Sequence, residues 1–462
     1  MSLKPFKVLS PTAILGYGFP EASFLKGMEK KPDLIAVDAG STDPGPYYLG
    51  AGKAFTNREA VKRDLSYMLV HGVKNHIPVV VGTAGGSGAD VHLEWCRKII
   101  EEIAAENKLS FKMGIIPSDV SKEDVKKALK EGRIEPLAYV PQLTEEAIDE
   151  TTYLVAQIGV EPIIEALKDK CDVVLAGRCY DPANFAALPI MLGYDKGLAL
   201  HMGKILECAA IAATPGSGSD CAMGTLTEDS FILEALSPDR KFTCESAAAH
   251  TLYEKTDPYH LPGPGGELNL EGCSFKDLGE GRVEVKGSKE IPTPKYWVKL
   301  EGARCIGYRT VSIAGTRDPI MIKGIDKIIE EVKERVNTIT KDPHRSDNLY
   351  FHIYGKNGVM GPLETVKEVT SHELCIVIEA LCKTQAEADS LCSIARSTML
   401  HYGYAGRIST AGNLAFPFSP SDITVGKVFE FSVYHLMNID GMKLFPHHNE
   451  FYKDGAKQGE IY

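Results

Sequence analysis

The sequence predicts an α/β fold, with a doubly wound, mostly parallel sheet and a smaller C-terminal α+β unit. Two observations favour this class. Short runs of Val, Ile and Leu alternate with amphipathic segments in the first part of the chain, and each run ends in a turn rich in Gly, Ser, Asp or Pro. Such strands between helices are typical of a parallel sheet covered on both faces. In a chain of 462 residues we expect two domains, 1–287 and 288–462.

The elements of the larger domain follow from hydrophobic periodicity. Apolar runs predict strands at 33–37, 78–82, 112–116 and 172–176. Helical spacing predicts helices at 57–73, 90–106, 122–131 and 144–158. Small residues dominate 202–287, which we expect to form irregular loops over the sheet edge.

The smaller domain is expected to be α+β. Short strands are expected to alternate between 288 and 317. Two further strands at 348–355 and 372–381 precede a helix at 384–402.

Composition and charge exclude several partners. A net charge of −11 without a basic stripe argues against nucleic acid and anionic lipid. No apolar run is long enough to span a membrane, and the N-terminus lacks the pattern of a signal peptide, so we expect a cytoplasmic protein. The eleven cysteines are scattered without zinc-type spacing. Most are expected to be buried thiols, with Cys179 and Cys208 as candidates for a catalytic thiol.

Four polar turns follow the predicted strands. They start at Val37, Gly82, Ile116 and Ala176, and the third contains Ser118 and Asp119. In doubly wound folds the ligand binds beyond the carboxyl ends of the strands, where loop amides and helix N-termini meet. We therefore expect these four turns to contribute to one site.

The turn "GTAGGSGAD" is rich in glycine but matches no nucleotide fingerprint. It lacks the lysine of a P-loop and the spacing of a dinucleotide turn. Gly85, Gly86 and Gly88 would let the backbone approach an anionic ligand, with Thr83 and Ser87 beside it. The alternative is a tight turn in which Ser87 or Asp90 caps the next helix.

Asp38 and Asp43 enclose two hydroxyl residues, Ser41 and Thr42, at the end of a strand. This set can hold Mg²⁺, supply a general acid and base, or cap turns. Mg²⁺ is therefore a candidate cofactor, and the sequence alone does not decide between these roles.

Arg178 follows the strand at 172–176 directly. Its guanidinium fits a carboxylate or phosphate, so it is a candidate anchor for a small anionic substrate. The alternative is a structural ion pair with Asp181. Cys179 beside it would be a nucleophile only if a cation lowered its pKa, and no base can be assigned.

Glu207 and Lys204 lie on a predicted short helix before an apolar stretch. A carboxylate in that setting can have a raised pKa suited to proton transfer. The alternative is an exposed residue on the helix surface. Further candidates occur in the segment from His250 to His260, which includes Tyr253 and Glu254.

Several of these segments together resemble the acyclic terpene utilisation family AtuA. They are "TAGG" at 83–86, "GRCYDPANFAALP" at 177–189, "GKILEC" at 203–208 and "AHTLYEKTDPYHLPG" at 249–263. Thr83 stands where the family usually has Asn, and the segment at 39–50 departs from the family pattern. These departures indicate a distant member with a different substrate. The family takes its name from a pathway that degrades branched terpenoid acids as thioesters, and the reaction of its members is poorly defined.

These observations lead to three hypotheses. The first is an enzyme of lyase or hydratase type that acts on a small carboxylic acid or acyl thioester by proton transfer. Arg178 would bind the carboxylate, and Asp38, Asp43 or Glu207 would move the proton. The second is a non-catalytic metabolite-binding or assembly subunit, and the third is a nucleotide-dependent ligase. Self-association into a homo-oligomer is expected in each case.

Overall fold

The computed structural model describes residues 3–253, 256–439 and 445–461. It divides into two compact units, a larger one of 1–304 with 430–462 and a smaller one of 305–429. Glu254, a candidate from the sequence, lies outside the described residues. Among the described residues, no helix is both long enough and apolar enough to cross a membrane.

The strands of the larger unit are β1 Phe6–Ser10, β2 Leu34–Asp38, β3 Val79–Gly82, β4 Phe111–Ile116, β5 Ile134–Pro136, β6 Tyr153–Gln157, β7 Val173–Ala176, β8 Ala222–Leu226, β9 Ser230–Ala235, β10 His260–Gly263, β11 Gly266–Asn269, β12 Ser274–Gly279, β13 Arg282–Lys286, β14 Lys289–Pro292, and further along the chain β19 His448–Lys453 and β20 Ala456–Ile461. Its helices are α1 Glu21–Glu29, α2 Tyr47–Ala51, α3 Arg58–Lys74, α4 Asp90–Asn107, α5 Lys122–Lys130, α6 Glu145–Glu150, α7 Val160–Lys168, α8 Ala183–Met191, α9 Lys196–Leu206 and α10 Cys244–Thr251.

The smaller unit contains β16 Leu349–Tyr354, β17 Leu374–Cys382, α11 Pro319–Lys323, α12 Ile325–Thr340 and α13 Gln385–Leu400. Two long strands have residues in both units, β15 Trp297–Thr316 and β18 Asp422–Asn438. Within the smaller unit β17 pairs antiparallel with β16 on one side and with residues 308–316 of β15 on the other. Its apolar core lies between this sheet and the helices α12 and α13.

The main sheet of the larger unit is mixed, with parallel strands at its centre. Its strand order is β12-β13-β9-β8-β1-β2-β3-β7-β4-β19-β20 among the described residues. The pairs β1–β2, β2–β3, β3–β7 and β7–β4 are parallel, and the flanking pairs are antiparallel. The carboxyl ends of β2, β3 and β7 therefore meet at one edge.

Both faces of this sheet are buried, which is why its strands read as continuous apolar runs. Along β2, Ile35 and Val37 contribute to one hydrophobic core with residues of α3 and α4. Leu34 and Ala36 contribute to a second core with residues of α7, α8 and α9. The fold is therefore mixed α/β, as the sequence predicts.

The structure confirms most of the individual elements in the first part of the chain. All four predicted strands occur within one residue of their expected starts. Asn57 caps α3 by accepting from two backbone amides, and Ser121 caps α5 in the same way from one. These side-chain caps satisfy the donors that a helix start leaves unpaired.

The helix predicted at 144–158 is wrong over its second half. Helix α6 ends at Glu150, and 153–157 form β6. This strand pairs antiparallel with residues 299–303 of β15, a partner distant in the sequence. Tertiary pairing of an apolar segment containing Tyr and Val therefore overrides the helical spacing.

The irregular loops predicted at 202–287 are also wrong. This segment contains six strands and α10, and its hairpins extend the main sheet and form a small sheet of β10, β11 and β14. Likewise 297–316 form one long strand rather than several short ones. Small residues and glycine are typical of loops, but antiparallel pairing stabilises short strands of this composition.

Candidate functional site

A cavity of about 230 Å³ opens at the carboxyl end of β2, in the loop region that follows β7. Its acidic and polar lining is formed by Asp38, Ser41, Asp43, Asp181, Glu207 and Cys208. Its apolar and aromatic lining includes Ala13, Ile14, Tyr17, Pro44, Phe55, Ile211 and Tyr253. Seven residues that the sequence singled out, including Cys208 and Tyr253, thus share one cavity.

Asp38 is the last residue of β2, and its side chain is buried with 4% exposure. Its Oδ1 atom is buried without a hydrogen-bond partner. Burial raises the pKa of Asp38 well above its usual value, as do the nearby Asp181 and Glu207, against the opposing effects of Arg178 and Thr83. The surroundings of Asp38 therefore favour the protonated form of its carboxyl group.

Arg178 lies behind the cavity and does not line it. Its side chain is 2% exposed, and its Nε donates to Oε2 of Glu301 over 2.8 Å. Its Nη1 donates to Oδ1 of Asp181 over 3.0 Å. The structure thus shows the ion pair with Asp181 that was the alternative to a substrate anchor, and the buried carboxylate of Glu301 also holds the guanidinium.

Glu301 is a residue that the sequence analysis missed. It is fully buried on β15 and accepts from Arg178, from Lys299 Nζ over 2.6 Å and from Thr42 Oγ1 over 3.0 Å. Burial raises its pKa, but the two cations outweigh burial and hold the pKa at about 2. Lys299 and Glu301 are two positions apart on a strand, so their side chains lie on the same face. This spacing is the one sequence signal that could have indicated the cluster.

Glu207 follows the last residue of α9 and is buried rather than exposed on the helix surface. Its carboxylate forms a buried ion pair with Lys204. Burial lowers the pKa of Lys204, but Glu207 outweighs it and raises that pKa above its usual value. The carboxylate of Glu207 therefore lines the cavity while it is paired with the ammonium group of Lys204.

His250 lies near this pair, on α10. Burial and the charge of Lys204 lower its pKa to about 4, so the imidazole is neutral at neutral pH. Its ring stacks on Tyr253, with ring centroids 5.0 Å apart. Tyr253 in turn lines the cavity.

The glycine-rich turn is used for backbone packing. The amides of Gly86 and Gly88 donate to Thr83 and Ala84 within the turn, so these two do not face a ligand. A Cβ atom on Gly40 would lie 2.7 Å from the Cα of Gly86, which shows how closely two backbones approach here. The turn, including the buried Ser87 and the Gly85 position, is absent from the cavity lining.

Thr83 is buried and contacts other protein groups rather than the cavity. It has a positive φ of 50°, unusual for a β-branched residue, and its Oγ1 accepts from Arg178 Nη1 over 3.5 Å. It lies within 3.5 Å of Cys179 Sγ. Burial raises the pKa of Cys179 to about 12, so this thiol is protonated and does not support the nucleophile hypothesis.

Ser118 and Asp119 position other elements and do not line the cavity. Ser118 Oγ donates to the Gly88 carbonyl over 2.9 Å and accepts from the Arg178 amide over 2.6 Å. Asp119 Oδ2 accepts from the amide of Asp90 at the start of α4 over 2.7 Å. The N-cap residue of α4 is Ala89, which makes no side-chain cap. The alternative in which Ser87 or Asp90 caps this helix is therefore wrong.

The hydroxyls between Asp38 and Asp43 are engaged with carboxylates. Ser41 Oγ donates to Asp43 Oδ2 over 2.8 Å at the exposed rim of the cavity, and Thr42 is bound to Glu301. Within the described part of the chain, neither aspartate belongs to a group of three or more closely spaced metal-binding side chains. The Mg²⁺ site therefore remains a prediction.

The fold and the site define an α/β protein with an acidic cavity at the carboxyl ends of its parallel strands. The chain belongs to the acyclic terpene utilisation family AtuA, whose family model matches residues 52–224 and 230–418. Arg178, Asp181 and Glu207 lie inside the matched segments, and Asp38 lies before them. Comparison with curated proteins and with solved structures gives no match.

Proposed function

We propose that this protein is an enzyme that acts on an acyl thioester or related carboxylic acid by proton transfer. The reaction would be an addition, an elimination or a carbon-carbon cleavage, of the lyase or hydratase type. The observation that carries the proposal is Asp38, a buried carboxylic acid that lines the cavity and has an oxygen without a partner. A polar group in that state is costly unless a ligand completes its hydrogen bonds.

Asp38 would act as a hydrogen-bond and proton donor. A carboxyl group kept neutral by its surroundings can donate to a carbonyl oxygen and stabilise the enolate that forms when the neighbouring carbon loses a proton. The raised pKa of Asp38 supports this role, because burial and the nearby carboxylates favour the form that carries the proton.

Glu207 and Asp181 are the candidates for the base. Both line the same cavity as Asp38, and each forms an ion pair, with Lys204 and Arg178 respectively. A carboxyl group with a raised pKa and two carboxylates paired with cations, all in one cavity, provide the two roles that proton transfer at a carbon next to a carbonyl requires.

The lining favours a thioester over a free acid. No Lys, Arg or His is among the described residues that line the cavity, whereas four carboxyl groups are. The lining thus offers a free carboxylate no cation to bind, whereas the carbonyl of a thioester is neutral and would accept a hydrogen bond from Asp38. Apolar walls such as those at Ile14, Phe55 and Ile211 suit the hydrocarbon part of an acyl group.

We also propose a cytoplasmic location and a homo-oligomeric state. No disulfide bond joins the described cysteines, as suits a reducing compartment. Light scattering of the purified protein tests the homo-oligomeric state. A monomeric mass at working concentration would contradict this proposal.

Solvent deuterium exchange tests the reaction directly. The protein is incubated in D₂O with linear and branched acyl-CoA thioesters, and mass spectrometry follows deuterium at the carbon next to the carbonyl. We expect exchange with at least one thioester and a loss of about 100-fold or more in Asp38→Asn. The control is Asp229→Asn, which removes an exposed carboxylate.

Two results would count against the proposal. Thermal stabilisation by thioesters without exchange would favour a metabolite-binding subunit. Exchange that is equally fast in Asp38→Asn would show that Asp38 is not the donor.

A further inference from the structure

We propose that Glu207, Cys208 and His250 form a binding site for a zinc ion beside the cavity. One candidate ligand atom from each residue, a carboxylate oxygen, the Cys208 sulfur and an imidazole nitrogen, lies within 4.8 Å of the other two. Glu207 and Cys208 also line the cavity. The inference concerns binding of the metal alone and does not rest on the proposed reaction. With zinc bound, Glu207 would be a ligand, and Asp181 would be the remaining candidate for the base.

His250 provides the second observation that indicates a ligand. Its side chain is 6% exposed, and its Nε2 is buried without a hydrogen-bond partner. His201 shows the usual arrangement, since its two ring nitrogens contact the hydroxyls of Ser288 and Thr251 over 2.7 and 2.9 Å. A buried imidazole nitrogen without such a partner is costly unless something binds it.

The donor set selects the type of metal. One imidazole, one thiolate and one carboxylate suit Zn²⁺, whereas Mg²⁺ and Ca²⁺ prefer oxygen ligands alone. Around a tetrahedral zinc ion these atoms would lie about 3.3 to 3.8 Å apart, so binding requires each separation to shorten by no more than about 1.5 Å. Three protein ligands leave a fourth position, and two of the three ligands face the cavity.

Lys204 affects this site in two ways. Its ion pair with Glu207 orients the carboxylate, in the manner of the outer partners that hold metal ligands. Its positive charge opposes a second cation nearby. The carboxylate of Glu207 and a thiolate at Cys208 would together carry two negative charges, which offset this repulsion.

The sequence did not indicate this site because its ligands have no recognised spacing. Glu207 and Cys208 are adjacent at the end of α9, where an ordinary zinc motif would have paired cysteines or histidines. His250 lies on a different helix, and only the packing of α9 beside α10 brings it to them.

Metal binding to the purified protein tests the inference. After removal of metal by a chelator and dialysis, Zn²⁺ is titrated by calorimetry, and Co²⁺ is added separately as a spectroscopic probe. We expect one Zn²⁺ per chain, with affinity reduced at least about 10-fold in Cys208→Ser and in His250→Gln. The absorption from thiolate-to-Co²⁺ charge transfer is expected in the wild type and absent from Cys208→Ser.

Cys273→Ser is the matched control. Cys273 lies 3.9 Å from a ring nitrogen of His201, so it is also a cysteine beside a histidine, but it belongs to no three-ligand group among the described residues. It should bind Zn²⁺ and Co²⁺ like the wild type, and circular dichroism verifies that each variant is folded. The inference is overturned if the wild type binds no Zn²⁺, if both ligand variants bind as tightly as the control, or if the charge-transfer band is missing.

Discussion

The Nε of Arg178 donates to Oε2 of Glu301 over 2.8 Å, and both side chains are buried. This ion pair joins the loop after β7 to β15 within the larger unit. Lys299 and Thr42 complete the hydrogen bonds of Glu301, so the carboxylate is buried with its charge compensated. The pair places Asp181, the second partner of Arg178, on the cavity wall.

Glu301→Gln is expected to destabilise the protein strongly. The change leaves the charges of Arg178 and Lys299 without their shared partner, and breaking a buried pair in this way costs about 3 to 5 kcal/mol. Urea denaturation measures the loss in the free energy of unfolding. Glu165→Gln is the control, because its pair with Lys168 is exposed and should contribute less than about 1 kcal/mol. Similar losses in both variants would contradict the prediction.

Asp38→Asn is expected to stabilise the protein, increasingly so as pH rises. In the unfolded chain Asp38 ionises above about pH 4, whereas its raised pKa keeps it protonated in the folded protein. Wild-type stability therefore falls as pH rises from the unfolded pKa towards the folded one, by up to about 1.4 kcal/mol per pH unit. Asn removes this loss.

Urea denaturation between about pH 4.5 and 7.5 follows the difference between Asp38→Asn and the wild type. The difference should grow in favour of the variant over this interval. Parallel stability curves would mean that Asp38 ionises normally in the folded protein, which would also remove its role as an acid.

Gly88→Ala is expected to be far more harmful than Gly132→Ala. Both glycines have positive φ, 71° and 66° respectively, so each substitution carries the cost of a left-handed backbone, about 1 to 2 kcal/mol. A Cβ atom on Gly88 would lie 2.1 Å from the backbone nitrogen of Arg178, whereas a Cβ atom on Gly132 would have no neighbour within 4 Å. The extra loss in chemical denaturation should exceed about 2 kcal/mol. Equal losses would show that the turn adjusts freely.

Asp90→Asn is expected to lower the pKa of Asp119. Burial first, and then the charge of Asp90, raise the pKa of Asp119 to about 8. The stability lost through Asp119 as pH rises from about 4 to about 8 should therefore be partly regained in the variant. Carbon-detected NMR titration of the Asp119 carboxyl measures the shift. An unchanged titration would leave burial as the whole cause.

The strands of the central sheet could be predicted because their signal is local. A strand buried on both faces is apolar throughout, as at 79–82 and 173–176, and Gly, Ser or Asp marks where it ends. The segment at 153–157 could not be assigned in this way. Its structure depends on pairing with 299–303, and this partner cannot be read from the segment itself.

The predicted site residues divide for a similar reason. Asp38, Ser41, Asp43, Asp181 and Glu207 follow strands or helices of the larger unit and do line one cavity. Other predicted site residues, including Arg178, Thr83 and the glycine-rich turn, are buried against other loops instead. A position near a strand end predicts the neighbourhood of a site, but the direction of a side chain depends on packing.

By itself the sequence determined the α/β class, the family resemblance and the edge of the sheet at which polar residues gather, because strand composition, turn residues and motifs are local properties. Only the tertiary structure decided the direction in which the pKa of each carboxyl group is shifted. Arg178 and Lys299 lower the pKa of Glu301, whereas burial, Asp181 and Glu207 raise the pKa of Asp38. A pKa depends on burial and on nearby charges, and here those charges come from segments far apart in the chain.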